Sequence, residues 1–254
     1  MIIDGLVNAF INIGLFIILV LFVKGIQVNF DKNYTPLYWI SIKKHDIKLL
    51  FLGIIVALLY KSLLGLIGVT CGKMVLEIDK SGIAKTIIFT LVSSFGFFGV
   101  SLLEEGLFRG YLMQVVFKEI PNLLAIILQG LVFGLVHYHN YSLLSHTWIR
   151  IINAMLVGII FGAIVIKTKS LMFVIGAHLF YNTAEDILFL DNSYKFTRFI
   201  SFNHSSYLSP NLSENLFCTE SIELIMLFII TLSLIFLFRR SILYNKSKGD
   251  FLDT

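Results

Sequence analysis

The chain has 254 residues, of which 57% are hydrophobic and only 14% charged, with a net charge of +4, whereas a soluble domain averages about 25% charged. A mean hydropathy of +0.87 together with 24 Phe puts the sequence in the membrane class and excludes a water-soluble globule, a disordered chain, collagen and a coiled coil. Lys and Arg gather at the ends of apolar runs rather than along a phosphate-tracking groove, so the lipid bilayer is the expected surrounding and nucleic acid is not a partner.

A helix needs about 20 mostly apolar residues to cross the hydrocarbon. Such runs occur at 5–23, 47–69, 86–117, 121–139, 149–166, 170–190 and 222–238. They predict an all-α, polytopic membrane bundle of about seven transmembrane helices (six to eight), forming a single integral membrane domain over 1–254 with its polar core on the helices of 86–190. The first run follows Met1, Ile2, Ile3 and Asp4 without the basic segment of a secretory signal, so it is read as a retained helix. The second carries Lys61, expected to snorkel towards an interface. The third is too long for one crossing unless it tilts or projects into water. Pro36, Pro121 and Pro210 fall in connections, and the polar segment 191–221, rich in Ser and Asn, reads as a loop on the outer side. With the N-terminus outside, the inner side collects the larger share of Lys and Arg, including Lys43, Lys44, Lys48, Arg239 and Arg240; this favours N-out and C-in. Cys71 and Cys218 lack metal-ligand spacing and read as structural.

The informative residues are the polar ones inside the spans, because a charge at bilayer depth costs about 2.5–3.5 kcal/mol even on the lenient insertion scale. Three clusters qualify: Glu104, Glu105 and Arg109 in SLLEEGLFRG, His137 in FGLVH, and His178 with Asn182 in HLFYN. Glu105 and Arg109 are four apart and share a helical face, so they form an internal ion pair. Glu104 points about 100° away and is left to face a cavity as a general base. Glu104 lies 17 residues before Pro121 and His137 lies 16 after it, which puts the two side chains level in an antiparallel helical hairpin. Gly130 with Gly134, and Gly158 with Gly162, form two GxxxG steps for close helix approach. Phe133 stands one turn from His137 as packing support, and His178 and Asn182 share a face of a further helix.

A carboxylate, two imidazoles and a carboxamide are enough to hydrolyse a peptide bond without a protein nucleophile. In one version Glu104 and His137 polarise a water while His178 and Asn182 donate to the developing oxyanion. In the other, His137, His178 and Glu104 hold a divalent metal, zinc by preference, that activates the water. The donor set fits either.

EExxxR (Glu104, Glu105, Arg109), FxxxH (Phe133, His137) and HxxxN (His178, Asn182), in that order on consecutive helices, resemble the three motifs of the CPBP family. That family unites CAAX prenyl endopeptidases with bacteriocin-processing and abortive-infection-like proteins. The resemblance covers roughly 104–182, and no motif residue departs from the pattern. It implies an all-helical intramembrane protease of a bacterial inner membrane, usually called a metalloprotease. In such a protease a glutamate-activated water cleaves a peptide or protein substrate in the membrane. The first motif places Glu105 with Glu104 in the catalytic set; Glu104 and His137 match the water-activating pair, and His178 and Asn182 the oxyanion pair. Zinc and metal-free water activation both stay open, as do the substrate and the oligomeric state.

Rival readings are a non-catalytic membrane scaffold or immunity protein and, less favoured, a proton-coupled transporter, whose internal repeat is missing from the sequence. His45, His139, His146 and His204 lie in loops or at span ends and read as solvated or interfacial. Ser93 and Ser94 read as packing hydroxyls, because the G-x-S-x-G pattern is absent.

Overall fold

In the computed structural model the described residues are 7, 10–22, 43–71, 74–78, 83–116, 119–138, 147–189, 200–204 and 219–239. Backbone amides in hydrocarbon must be satisfied within their own segment, so apolar runs fold as helices. Each of the seven runs does so: α1 (Phe10–Phe22), α2 (Lys44–Thr70), α3 (Ile83–Glu105), α4 (Asn122–Val136), α5 (Thr147–Thr168), α6 (Met172–Ala184) and α7 (Thr219–Leu237). The stretches Lys44–Thr70, Thr86–Gln114 and Thr147–Thr168 are long and apolar enough to cross a bilayer by length and composition, while α1, α4 and Ser221–Leu237 are shorter apolar helices. The chain is an all-α membrane bundle. Two helices change winding at their C-terminal ends: α3 passes into a π-helical segment, Gly106–Val116, and α6 into another, Glu185–Phe189.

The residues fall into two compact units, the first comprising Met1–Val20, Ile42–Glu104 and Met172–Thr219, the second Leu21–Ser41, Glu105–Leu171 and Glu220–Thr254. In the first unit α2 and α6 run parallel and touch at their glycines. A Cβ on Gly53 would run into the Phe173 carbonyl oxygen and stand 2.8 Å from Ala177 N; one on Gly176 would run into the Leu50 carbonyl. Strand β1 (Met74–Ile78) pairs antiparallel with β2 (Ile200–His204), with Met74 opposite His204 and Ile78 opposite Ile200. Met74 is buried among Ala184 and Leu188, with Val69, Phe180 and Ile187 around them.

In the second unit α4 packs on α5 through the two small-residue steps. A Cβ on Gly158 would stand 2.8 Å from Gly130 Cα, and one on Gly130 would stand 3.0 Å from Ile159 N. Such contacts let backbones approach closely where lipid supplies no hydrophobic drive to helix association. Pro121 opens α4, its carbonyl accepting from Ala125 N at 3.0 Å. Lys169, at φ 55°, ends α5 by donating its N–H to Val165 O at 2.9 Å, a left-handed cap usually given to glycine.

Two expectations are corrected. Lys61 does not snorkel: it is 2% exposed and its Nζ lies 2.7 Å from Glu185 Oε2. A carboxylate on the adjacent helix neutralises the ammonium in place, so the side chain need not reach water. Within the segment read as a loop, Ile200–His204 forms a strand; the edge offered by the β-branched and apolar MVLEI of β1 supplies its partner groups. Pro36, Pro210, Cys218, His139 and His146 lie outside the described residues, whereas Cys71 is exposed at the end of α2.

Candidate active site

The first unit brings Glu104 and His178 together. Glu104 is the last residue of α3 in that unit, and His178 lies near the middle of α6. Glu104 Oε2 stands 3.8 Å from His178 Nε2, with the His178 side chain 8% and the Glu104 side chain 26% exposed. That separation is beyond a good hydrogen bond yet within ion-pair reach, so the acid and the imidazole face one another across the contact between α3 and α6. Asn182 follows His178 by one turn on α6 and is half-buried, which puts both on one side of that helix. Eleven residues before Glu104 on α3, Ser93 Oγ donates to Asp186 Oδ2 at 2.7 Å; with Glu104–His178 this second contact makes α3 and α6 antiparallel.

The second unit holds Glu105, Arg109, Phe133 and His137. Glu105 and Arg109 are both fully buried, and Arg109 Nη1 donates to Glu105 Oε1 at 3.0 Å. Arg109 Nη2 reaches the Gly158 carbonyl at 3.3 Å, an oxygen that also accepts from Gln129 Nε2 at 2.7 Å. The guanidinium lies 4.4 Å from the centre of the Phe133 ring and 5.4 Å from that of Phe161, positions in which an arginine gains from the ring quadrupole. The wider π-helical turn after Glu105 thus still presents Arg109 to Glu105, with Gln114 Nε2 donating to the Arg109 carbonyl at 2.9 Å.

Phe133 joins this ion pair to the histidine of its own motif. Its ring meets Phe108 edge to face at 5.0 Å and lies 4.6 Å from the His137 imidazole. His137 ends α4, and its Nδ1 is 2.7 Å from the Phe133 carbonyl oxygen. A carbonyl oxygen only accepts, so this bond puts the proton on Nδ1 and gives the neutral ring Nε2 as its acceptor nitrogen. That tautomer suits a base.

Among the described residues no three of His, Cys, Asp or Glu stand close enough together to hold a metal ion. The donors present are a carboxylate–imidazole pair in the first unit and a tautomer-fixed imidazole in the second.

Sequence reasoning missed the groups that surround α6: Lys61 with Glu185, and Ser93 with Asp186. It also missed the buried Asn153 amide that donates to Glu223 Oε2 at 3.3 Å in the second unit. The signal was present in the acidic pair Glu185–Asp186 closing an apolar run, since carboxylates at such a place need partners on neighbouring helices.

Residues 86–184 match the family model described as Rce1-like, Type II CAAX prenyl endopeptidase. No curated protein and no solved structure gives a significant match. The matched segment contains all three motifs.

Proposed function

We propose that this chain, whose residues 86–184 match the Rce1-like family model of type II CAAX prenyl endopeptidases, is an intramembrane endopeptidase that hydrolyses a peptide bond in a hydrophobic or membrane-associated substrate. The family match implies peptidase activity; the single observation that carries the finer reading is the 3.8 Å approach of Glu104 to His178. A carboxylate and an imidazole at that spacing form an acid–base pair for a water-mediated attack, without a serine or cysteine nucleophile.

In this reading Glu104 takes a proton from the attacking water, and His137, with Nε2 as its acceptor nitrogen, keeps the water-activating role that its motif implies. The hydroxide equivalent bonds to the scissile carbonyl carbon. His178 and Asn182 donate to the oxygen as it gains negative charge. Collapse of the tetrahedral intermediate breaks the C–N bond, and the proton held by Glu104 passes to the leaving amine. Glu105 serves by holding Arg109 and, through Phe133, the ring of His137. The setting is a bacterial inner membrane with the N-terminus out and the C-terminus in.

The test is purification in detergent and cleavage of prenylated and unprenylated peptides, with and without chelator and added zinc. Expected is turnover that Glu104→Gln and His178→Ala each reduce by at least 100-fold, the scale of a lost general base. Turnover restored only by zinc would move water activation to a metal. Full activity in Glu104→Gln would refute the assignment, and an intact cellular phenotype with no cleavage would favour the scaffold.

A further inference from the structure

A buried lysine outside the three motifs grips the helix that carries His178 and Asn182. Lys61 lies on α2 and is 2% exposed. Its Nζ donates to Glu185 Oε2 at 2.7 Å and stands 3.7 Å from the centre of the Tyr181 ring, which stacks on Tyr60 with centroids 6.3 Å apart and 25° between planes. Tyr181 is on α6, and Glu185 is the first residue of the π-helical segment that continues it. Asp186, next in the chain, accepts from Ser93 on α3, the helix that bears Glu104. At the other end of α6, Gly176 lies against the Leu50 carbonyl and Gly53 against Phe173 and Ala177. The helix is therefore held at Gly176 by backbone contact with α2 and at Tyr181–Glu185 by a lysine from the same helix, with His178 between the two attachments and Asn182 within the second.

The two attachments do different work. Glycine contact fixes how near α6 comes to α2. An ion pair with one half-exposed partner adds little net stability, but a 2.7 Å contact is met at one register only. Sliding α6 by one residue moves Glu185 about 1.5 Å along the axis and rotates it about 100°, which breaks the pair. The same slide would carry His178, some 10 Å back along the helix, away from Glu104.

We propose that Lys61 is a positioning residue for the hydrolysis: with Glu185 and Tyr181 it fixes the axial register and rotation of α6, and through α6 the separation of His178 from Glu104. This rests on the peptidase reading above, and the experiment has one arm that does not.

Lys61→Met, Lys61→Arg and Glu185→Gln are purified in detergent beside the parent chain. The measurements are thermal melting, kcat and KM for a cleaved peptide, and the ¹⁵N-histidine spectrum, in which residue 178 is assigned by its loss in His178→Gln. Expected for Lys61→Met is a kcat loss on the order of 100-fold, the effect of an ångström-scale misplacement, with KM changed by less than about threefold. The His178 resonance is expected to move, and Lys61→Arg to recover part of both. Glu185, with its side chain 50% exposed, gives the variant that answers if Lys61→Met does not fold. Unchanged kcat and an unmoved His178 resonance overturn the proposal, as does a lower melting temperature with full kcat in the molecules that remain folded, or a loss confined to KM. If the parent chain cleaves no peptide, the spectrum alone decides: a moved His178 resonance keeps the clamp while the peptidase reading fails, and an unmoved one overturns the clamp.

Discussion

Two neighbouring carboxylates should respond in opposite ways to the same isosteric change. Glu105 and Arg109 have fully buried side chains joined at 3.0 Å. Glutamine in place of Glu105 keeps an oxygen acceptor but removes the negative charge that meets the guanidinium at 3.0 Å, and breaking a buried pair from one side costs about 3–5 kcal/mol. The Gly158 carbonyl and the faces of Phe133 and Phe161 remain as partners, so the lower end, about 3 kcal/mol, is expected. Glu104 is 26% exposed and faces His178 at 3.8 Å; a partly solvated pair at that distance is worth about 0–1 kcal/mol. For a chain of this size 1 kcal/mol shifts the melting temperature by roughly 2–4 °C. Glu105→Gln should therefore melt roughly 6–12 °C lower, while Glu104→Gln should stay within a few degrees and lose cleavage. Thermal melting in one detergent, followed by a thiol-independent probe and paired with the peptide assay, measures both. Equal melting temperatures for the two variants, or a Glu104→Gln protein as unstable as Glu105→Gln, would refute the division of roles.

Other substitutions test the packing. Gly158→Ala, whose Cβ would meet Gly130 Cα at 2.8 Å, should destabilise by about 1–3 kcal/mol, whereas Gly14→Ala, with nothing within 4 Å of the new carbon, should leave the melting temperature unchanged or raise it slightly through helix propensity. Lys169→Gly removes a side chain from a left-handed cap at φ 55° and should stabilise by about 0.5–1 kcal/mol, read as a small rise in melting temperature; a fall would argue against that cap. Phe133→Ala takes away a ring that is 4% exposed and touches Phe108, Arg109 and His137. It should cost about 3–5 kcal/mol and reduce cleavage further than the loss of folded protein accounts for, whereas a fully active folded fraction would sever the link between Phe133 and His137.

Much of the fold was legible because lipid leaves the backbone few options. Every apolar run long enough to read as a span is helical, and the glycines of GLVFG and GIIFG lie where α4 meets α5, since spacing of four on a helix fixes a face. Pairing between helices was not legible. Lys61 and Glu185 are 124 positions apart, and no local pattern in either run names the other, so a solitary lysine reads as a snorkelling one. The β1–β2 pairing was hidden for the same reason, with Met74 and His204 joined across the whole matched segment. The change to π-helical winding after Glu105 also left no mark in the hydrophobic pattern, because Gly106 and Gly110 are as acceptable in one winding as in the other. Within the site, residue types and spacings gave the faces of individual helices; the 3.8 Å meeting of Glu104 with His178 is a tertiary fact.

The adjacency of Glu104 and Glu105 also has a physical logic. Two carboxylates on successive residues cannot share a helical face, since they project about 100° apart, so one position can be dried and neutralised while the next stays partly wet. Here the dry one holds an arginine that is itself fully buried, and that arginine backs the aromatic ring against which His137 packs. The wet one is aimed at an imidazole on α6. Exchanging the two roles would put an unpaired charge in the packed interior and an ion pair where a base is needed. Reversing the order by moving Arg109 one residue earlier, in the double variant Phe108→Arg with Arg109→Phe, should therefore abolish both stability and cleavage. Retained stability with cleavage lost would show that the pair can re-form around Glu104, and that burial at Glu105 is a consequence of Arg109 rather than of the backbone; retained cleavage would refute the division of roles.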